Sequence, residues 1–173
     1  MKKPILIVTA LLSFCLFVNT SFAQTAPTGD VSITMAGSDN TSVSAFLVKV
    51  ANLNQALAAS GPFTVFAPTN DAFTKLSTPK LDSLMADPAK IATLLKAHTV
   101  VGKYAKDDIV KALNASKDRK VVFKTIDGAD LTLTYTGGKL VLTDAKGNSA
   151  NVLLYNLQAT NGVVHGLSDV MGK

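Results

Sequence analysis

His98 and His165 are the two side chains whose ordinary pKa lies near neutrality, so acid–base or nucleophilic chemistry would be built around them. A catalytic arrangement would pair either imidazole with Asp71, Asp108 or Asp169 and with a serine or threonine hydroxyl. The chain carries no nucleophile elbow, and serine, histidine and aspartate scattered without spacing occur in nearly every domain. Two isolated histidines give no metal-ligand spacing either, because the one cysteine, Cys15, stands far from both. His98 falls on the apolar side of a helix and His165 among Val163, Val164 and Leu167. Both therefore read as partly buried, hydrogen-bonded structural residues.

The remaining charged groups are equally unspecific. Asp127, Asp130, Asp144 and Asp169 match no calcium loop, and single acids at hairpin turns are ordinary. No metal and no cofactor is expected. Lys117, Arg119, Lys120 and Lys124 form a basic cluster that could meet polyanions, although such runs are usually solvated faces. Aromatic residues for stacking on bases are scarce, which argues against nucleic acid. Asn114-Ala115-Ser116 fits a glycosylation sequon.

The elements that must position these residues begin after an export signal. Lys2 and Lys3 precede an apolar run from Ile5 to Val18, and Ser21-Phe22-Ala23 supplies small residues for cleavage. The run is shorter than the roughly 20 apolar residues of a membrane span, so residues 1–23 read as a signal peptide and no transmembrane anchor is expected. Cys15 would leave with it, Phe14 being the wrong neighbour for lipidation. Loss of the two lysines lowers the formal charge from +5 to +3, a balance that favours solubility and names no partner. Residues 24–37 read as an N-terminal leader and residues 38–173 as a single domain, long enough to hold itself together by its core without disulfides.

Within that domain the organising stretch is Gly61 to Phe73. Phe63, Val65 and Phe66 suit a packed strand, bracketed by Pro62 and Pro68, which cannot donate to a ladder. Thr69 or Asn70 can cap the helix that follows, with Asp71 in its first turn and Phe73 and Leu76 on its apolar side. Upstream, Val43, Phe46, Leu47 and Val50 share a helix face behind a cap at Asn40 or Thr41. Leu53 and Leu57 continue into a second short helix. Thr78-Pro79 and Asp87-Pro88 start two more, the latter with Ile91, Leu94 and Leu95 on its apolar face. From Lys120 the period changes. Leu131, Leu133 and Tyr135 alternate with threonines, Asp127-Gly128 and Gly137-Gly138 make turns, and strands follow over Leu140–Leu142, Ala150–Leu157 and Val163–Leu167. Helices first and antiparallel strands later indicate an α+β domain.

Three segments in this order resemble the fasciclin domain family, and together they span about residues 38–173. Thr64-Val65-Phe66-Ala67-Pro68-Thr69-Asn70-Asp71, with Phe73, is similar to its first signature. The segment around His98, Gly102 and Tyr104 is similar to the central motif. Asn161-Gly162-Val163-Val164-His165, with Asp169, is similar to the second signature. The resemblance implies a β-sandwich or wedge of about seven strands with several helices packed around it. It also implies a non-enzymatic, secreted adhesion module at the cell surface or in matrix or biofilm. Its partner would be a surface or matrix protein or polysaccharide, with weak self-association allowed. Integrin contact, associated with a tyrosine-histidine pair in animal members, does not carry over, because Ala97 stands before His98. Physically, the apolar strands mean that Thr64, Asn70, Asp71, Asn161 and His165 need hydrogen-bond partners. The motifs then specify the fold more than a binding site. A soluble carrier for a small ligand or glycan is the alternative and would show an apolar pocket.

Overall fold

The computed structural model describes residues 27–59 and 61–172. The signal peptide and its cleavage point lie outside them. Strand β1 (Phe63–Pro68) is buried along its whole length, as the run of apolar residues between two prolines requires. It is paired on one side with β2 (Thr99–Val101), antiparallel, and on the other with β7 (Gly162–Leu167), parallel, Phe63 standing opposite Gly162 and Phe66 opposite His165. Strand β7 is likewise buried throughout. A parallel pair covered on both faces reads as continuous apolar sequence rather than alternation, which is what both segments show.

The other strands form an antiparallel meander, β3 (Lys120–Lys124), β4 (Asp130–Thr136), β5 (Lys139–Asp144) and β6 (Ser149–Ala159). The seven strands run in the order β2-β1-β7-β6-β5-β4-β3. Strand β6 pairs with β5 near its start and with β7 beyond, and a bulge between Leu153 and Leu157 bends it between the two partners. The outermost strands then approach each other: Val100 bridges Thr125, and the Ile126 amide donates to the Thr99 carbonyl at 2.9 Å. The α+β class holds, but the strands curl into one nearly closed barrel instead of two stacked sheets. The bulge in β6 is the physical reason, and nothing in the hydrophobic pattern announces it.

Two cores result. Phe66, Phe123, Leu131, Leu133, Leu142 and Leu167 fill the barrel, closed at one side by Ile109 and Leu113 of α7 (Lys106–Ala115). On the outer face, Val65, Ala67 and Val164 meet α1 (Val31–Ala36), α2 (Ser42–Val50), α3 (Asn54–Ala59) and α6 (Pro88–Ala97). Short helices α4 (Asn70–Thr74) and α5 (Thr78–Met85) complete the helical layer.

Three sequence expectations are corrected here, and one helix stands where none was expected. The leader proposed for residues 24–37 contains α1, whose Val31 and Met35 are fully buried in the helical core. Asp30 caps that helix by accepting from the Ser32 and Ile33 amides. Phe46 is 53 % exposed; α2 instead buries Ser44, Leu47 and Val48, one position round from the expected face. Tyr135 breaks the inward alternation of β4 and lies 45 % exposed. Helix α7 was not foreseen, although Asp107 and Asp108 in a first turn before Ile109 and Leu113 at i, i+4 are its signal.

If α1 belongs to the core, Met35→Ala should lower unfolding free energy by about 2–5 kcal/mol, the usual range for emptying such a site. Denaturant unfolding checks this. A change within a few tenths of a kcal/mol would return the segment to the status of a leader.

Candidate functional site

The motif residues converge on the β1–β7 pair, and their polar atoms turn to the ends of helices. Asn70, first residue of α4, accepts from the Val43 amide through Oδ1 at 3.0 Å and donates through Nδ2 to the Asp39 carbonyl at 2.7 Å and to Ser42 Oγ at 3.0 Å. It caps α2 from across the fold. The local candidate Thr41 occupies the cap position but makes no side-chain cap bond; its hydroxyl donates to the Met35 carbonyl. Asn161 plays the matching part before β7. Its Oδ1 accepts from Val31, the first residue of α1, and its Nδ2 donates to the Leu57 carbonyl near the end of α3. Its own carbonyl receives the Phe63 amide at 2.9 Å. Helix ends leave backbone groups without intrahelical partners, and these two asparagines supply them.

The central motif is tied to the first signature by Thr64. Its hydroxyl donates to the Gly102 carbonyl at 2.7 Å and accepts from the Tyr104 amide at 2.8 Å. Gly102 has φ +107°, and a Cβ there would come within 2.9 Å of the Tyr104 ring, so any other residue would be strained. Gly162 faces a harder limit: a Cβ would lie 2.1 Å from the Phe63 carbonyl oxygen. Thr69 caps α4 by accepting from the Ala72 amide, while Asp71 stays exposed in its first turn. Val65, Phe66, Ala67, Phe73, Val163 and Val164 are all core residues. Asp169 accepts from Ser168 Oγ at 2.8 Å and stands 3.5 Å from Lys75 Nζ at the surface.

Both histidines are fully enclosed, His98 at 1 % and His165 at 0 % exposure. His98 Nδ1 donates to the Leu94 carbonyl at 2.7 Å, and Nε2 accepts from the Met171 amide at 3.4 Å. This joins the end of α6 to the C-terminal segment. His165 Nε2 donates to the Tyr104 carbonyl at 3.0 Å, and Nδ1 accepts from the Asn156 amide at 3.3 Å. Asn156, at φ 54° within the β6 bulge, in turn accepts from the Lys106 amide and so caps α7. One ring thereby secures the bulge that curls the barrel. Each imidazole needs one nitrogen protonated and one bare, the neutral form. Burial lowers both pKa values, against the raising effect of the carbonyl each ring meets.

All four ring nitrogens are therefore committed to backbone groups. The structure brings His165 and His98 into no hydroxyl–imidazole–carboxylate series, and no group of three metal-ligating side chains occurs among the described residues. Within the same residues Ser32 Oγ is the one buried side-chain polar atom lacking a partner.

Comparison with known proteins agrees with this architecture. The family profile of the fasciclin domain matches residues 39–173. Protein sll1483 of Synechocystis is 35% identical over 138 residues, covering 79% of this chain and 69% of that protein. The transforming growth factor-beta-induced protein ig-h3 of Sus scrofa is 29% identical over 85% of this chain, which spans 20% of its length. In structure, the FAS1 domain pair of the insect cell adhesion molecule fasciclin I superposes with TM-score 0.66 at 20% identity, covering 85% of this chain and 52% of that one.

Two outcomes follow from the buried network. Asn161→Ala orphans the Val31 amide and the Leu57 carbonyl and should cost about 1–3 kcal/mol for each group left unpaired, read by thermal or denaturant unfolding. The histidines set a pH dependence. Their folded pKa values lie below 6.5, so as pH falls from 6.5 towards those values the unfolded chain binds more protons, and stability falls. It is fully present above 6.5. Melting temperature should drop on acidification from pH 7 to 5 and do so less steeply when either histidine is replaced; an unchanged slope would contradict neutral burial. By its sequence profile and its fold, this chain belongs to the fasciclin domain family.

Proposed function

We propose that the protein is an exported, non-enzymatic interaction module that acts by adhesion at the cell surface or in extracellular matrix or biofilm. The observation that carries this reading is the engagement of all four imidazole nitrogens by backbone groups, which removes the chain's best acid–base candidates from chemistry. Recognition is then left to the exterior. The fold shared with fasciclin I, an insect cell adhesion molecule, supports the same reading. Export rests on the basic start, the apolar run and the small residues before Gln24. The partner is a surface or matrix protein or polysaccharide, held weakly by each copy and firmly when several copies act together.

A carrier for a small ligand or glycan is the second reading. It is favoured by a groove of about 760 Å³ beside α5 and α6, walled by Leu76, Leu84, Leu94, Val170 and Met171. That size and lining fit a small apolar molecule.

Purified protein should bind cells or matrix polysaccharide negligibly as a monomer and be retained when displayed in many copies on beads. Retention in neither form, together with a metabolite that raises the melting temperature, would replace adhesion with the carrier reading.

A further inference from the structure

Between α7 and strands β4, β5 and β6 lies an open cleft of about 810 Å³ that no motif residue lines. Lys106, Arg119 and Lys139 line it, and no carboxylate does. The two ion pairs found among the described residues, Lys75–Asp169 and Lys124–Asp130, involve none of these cations. Of the basic cluster read from the sequence, Arg119 alone reaches the cleft, while Lys124 is neutralised by Asp130.

Arg119 is also in an unusual backbone position. Its φ is +48°, in the left-handed region where glycine, asparagine and aspartate are favoured and a long side chain is not. Its amide donates to the Ser116 carbonyl and its carbonyl accepts from the Tyr135 amide, which pins the turn to β4. The guanidinium then lies 5.9 Å from the centre of the exposed Tyr135 ring. The chain thus places an arginine where glycine would be relaxed, with its guanidinium beside an aromatic ring at the rim of a cleft lined by cations.

We propose that this cleft is the adhesive surface and that it binds carboxylated polysaccharide, chains bearing a uronate on each sugar. This rests on the adhesion reading above and names its partner. Arg119 receives a carboxylate through paired N–H donors, which its planar fork suits, and Lys106 and Lys139 supply point charges to neighbouring uronates. Asn114 and Asn151 provide side-chain amides for sugar hydroxyls along the same wall. Charge complementarity selects an acidic chain, and Val110, Leu113, Leu140, Val152 and Leu153 give the cleft an apolar floor on which the faces of sugar rings can rest, whereas nucleic acid would want more rings to stack on.

The test uses purified protein with polygalacturonate, its fully methyl-esterified form and phosphatidylglycerol vesicles as probes. Polygalacturonate should bind, weakening steeply with added salt, and the neutral ester should not. Arg119→Gly relieves the backbone while removing the guanidinium. It should leave the melting temperature about unchanged and weaken binding by roughly tenfold or more. Lys139→Gln, on an exposed strand start, should weaken binding by a smaller factor, and Lys124→Gln should leave it alone. Equal binding of the ester, undiminished binding by both cleft variants, or Arg119-dependent binding of vesicles but not polygalacturonate would each overturn the proposal. Clustered wild-type and Arg119→Gly beads on intact cells separate the two claims. If both are retained equally, adhesion stands and the cleft falls. If polygalacturonate binding depends on Arg119 while neither bead is retained, the cleft stands and adhesion falls.

Discussion

The parallel pairing of β1 with β7 is the constraint on which the rest of the molecule depends. Both strands are buried along their full length, with a barrel core on one side and a helical core on the other. Along that length water cannot reach the backbone, so its groups must find partners inside the protein. Gly162 allows the close approach at the start of the pair, since any side chain there would strike the Phe63 carbonyl. The flanking asparagines then serve the helices that lean on it.

That arrangement explains why short helices survive here. Helices of 6 to 10 residues have little stability of their own, and much of what they have depends on how their ends are satisfied. Asn70, Asn161 and Asn156 each stand on or beside a strand and cap a helix distant in sequence: α2, α1 and α7. His165 holds the third of these in place by accepting from its amide. Strand pairing and helix placement are thus one cooperative unit. Removing a single asparagine loosens two layers together.

Much of this was legible in the sequence, and the part that was not has physical causes. The Phe63–Pro68 strand, the Asp87-capped α6 and the turns at Gly128 and Gly137-Gly138 declare themselves through local chemistry. The need of Thr64, Asn70, Asn161 and His165 for partners also follows from apolar surroundings. The identity of those partners does not, because they lie 31 to 130 residues away for Asn70 to Asp39 and Asn161 to Val31. Thr41 looked like the cap of α2 because a local residue is the usual choice, and tertiary structure overruled it. Helix α1 was hidden by its brevity and its β-branched Val31, Ile33 and Thr34. The curl of the barrel depends on a bulge with Asn156 at positive φ, and asparagine inside a strand pattern is a faint sign of that.

On the proposed reading, a framework built this way leaves recognition to residues that the signatures do not include. The most direct measurement is adhesion per folded molecule for variants of the signature residues Asn70, Asn161 and His165, taken at a temperature where each remains folded. The account predicts that all three lose stability and keep wild-type adhesion once the folded fraction is corrected for. A variant that keeps its melting temperature but loses adhesion would place the binding site in the motifs themselves and contradict the account.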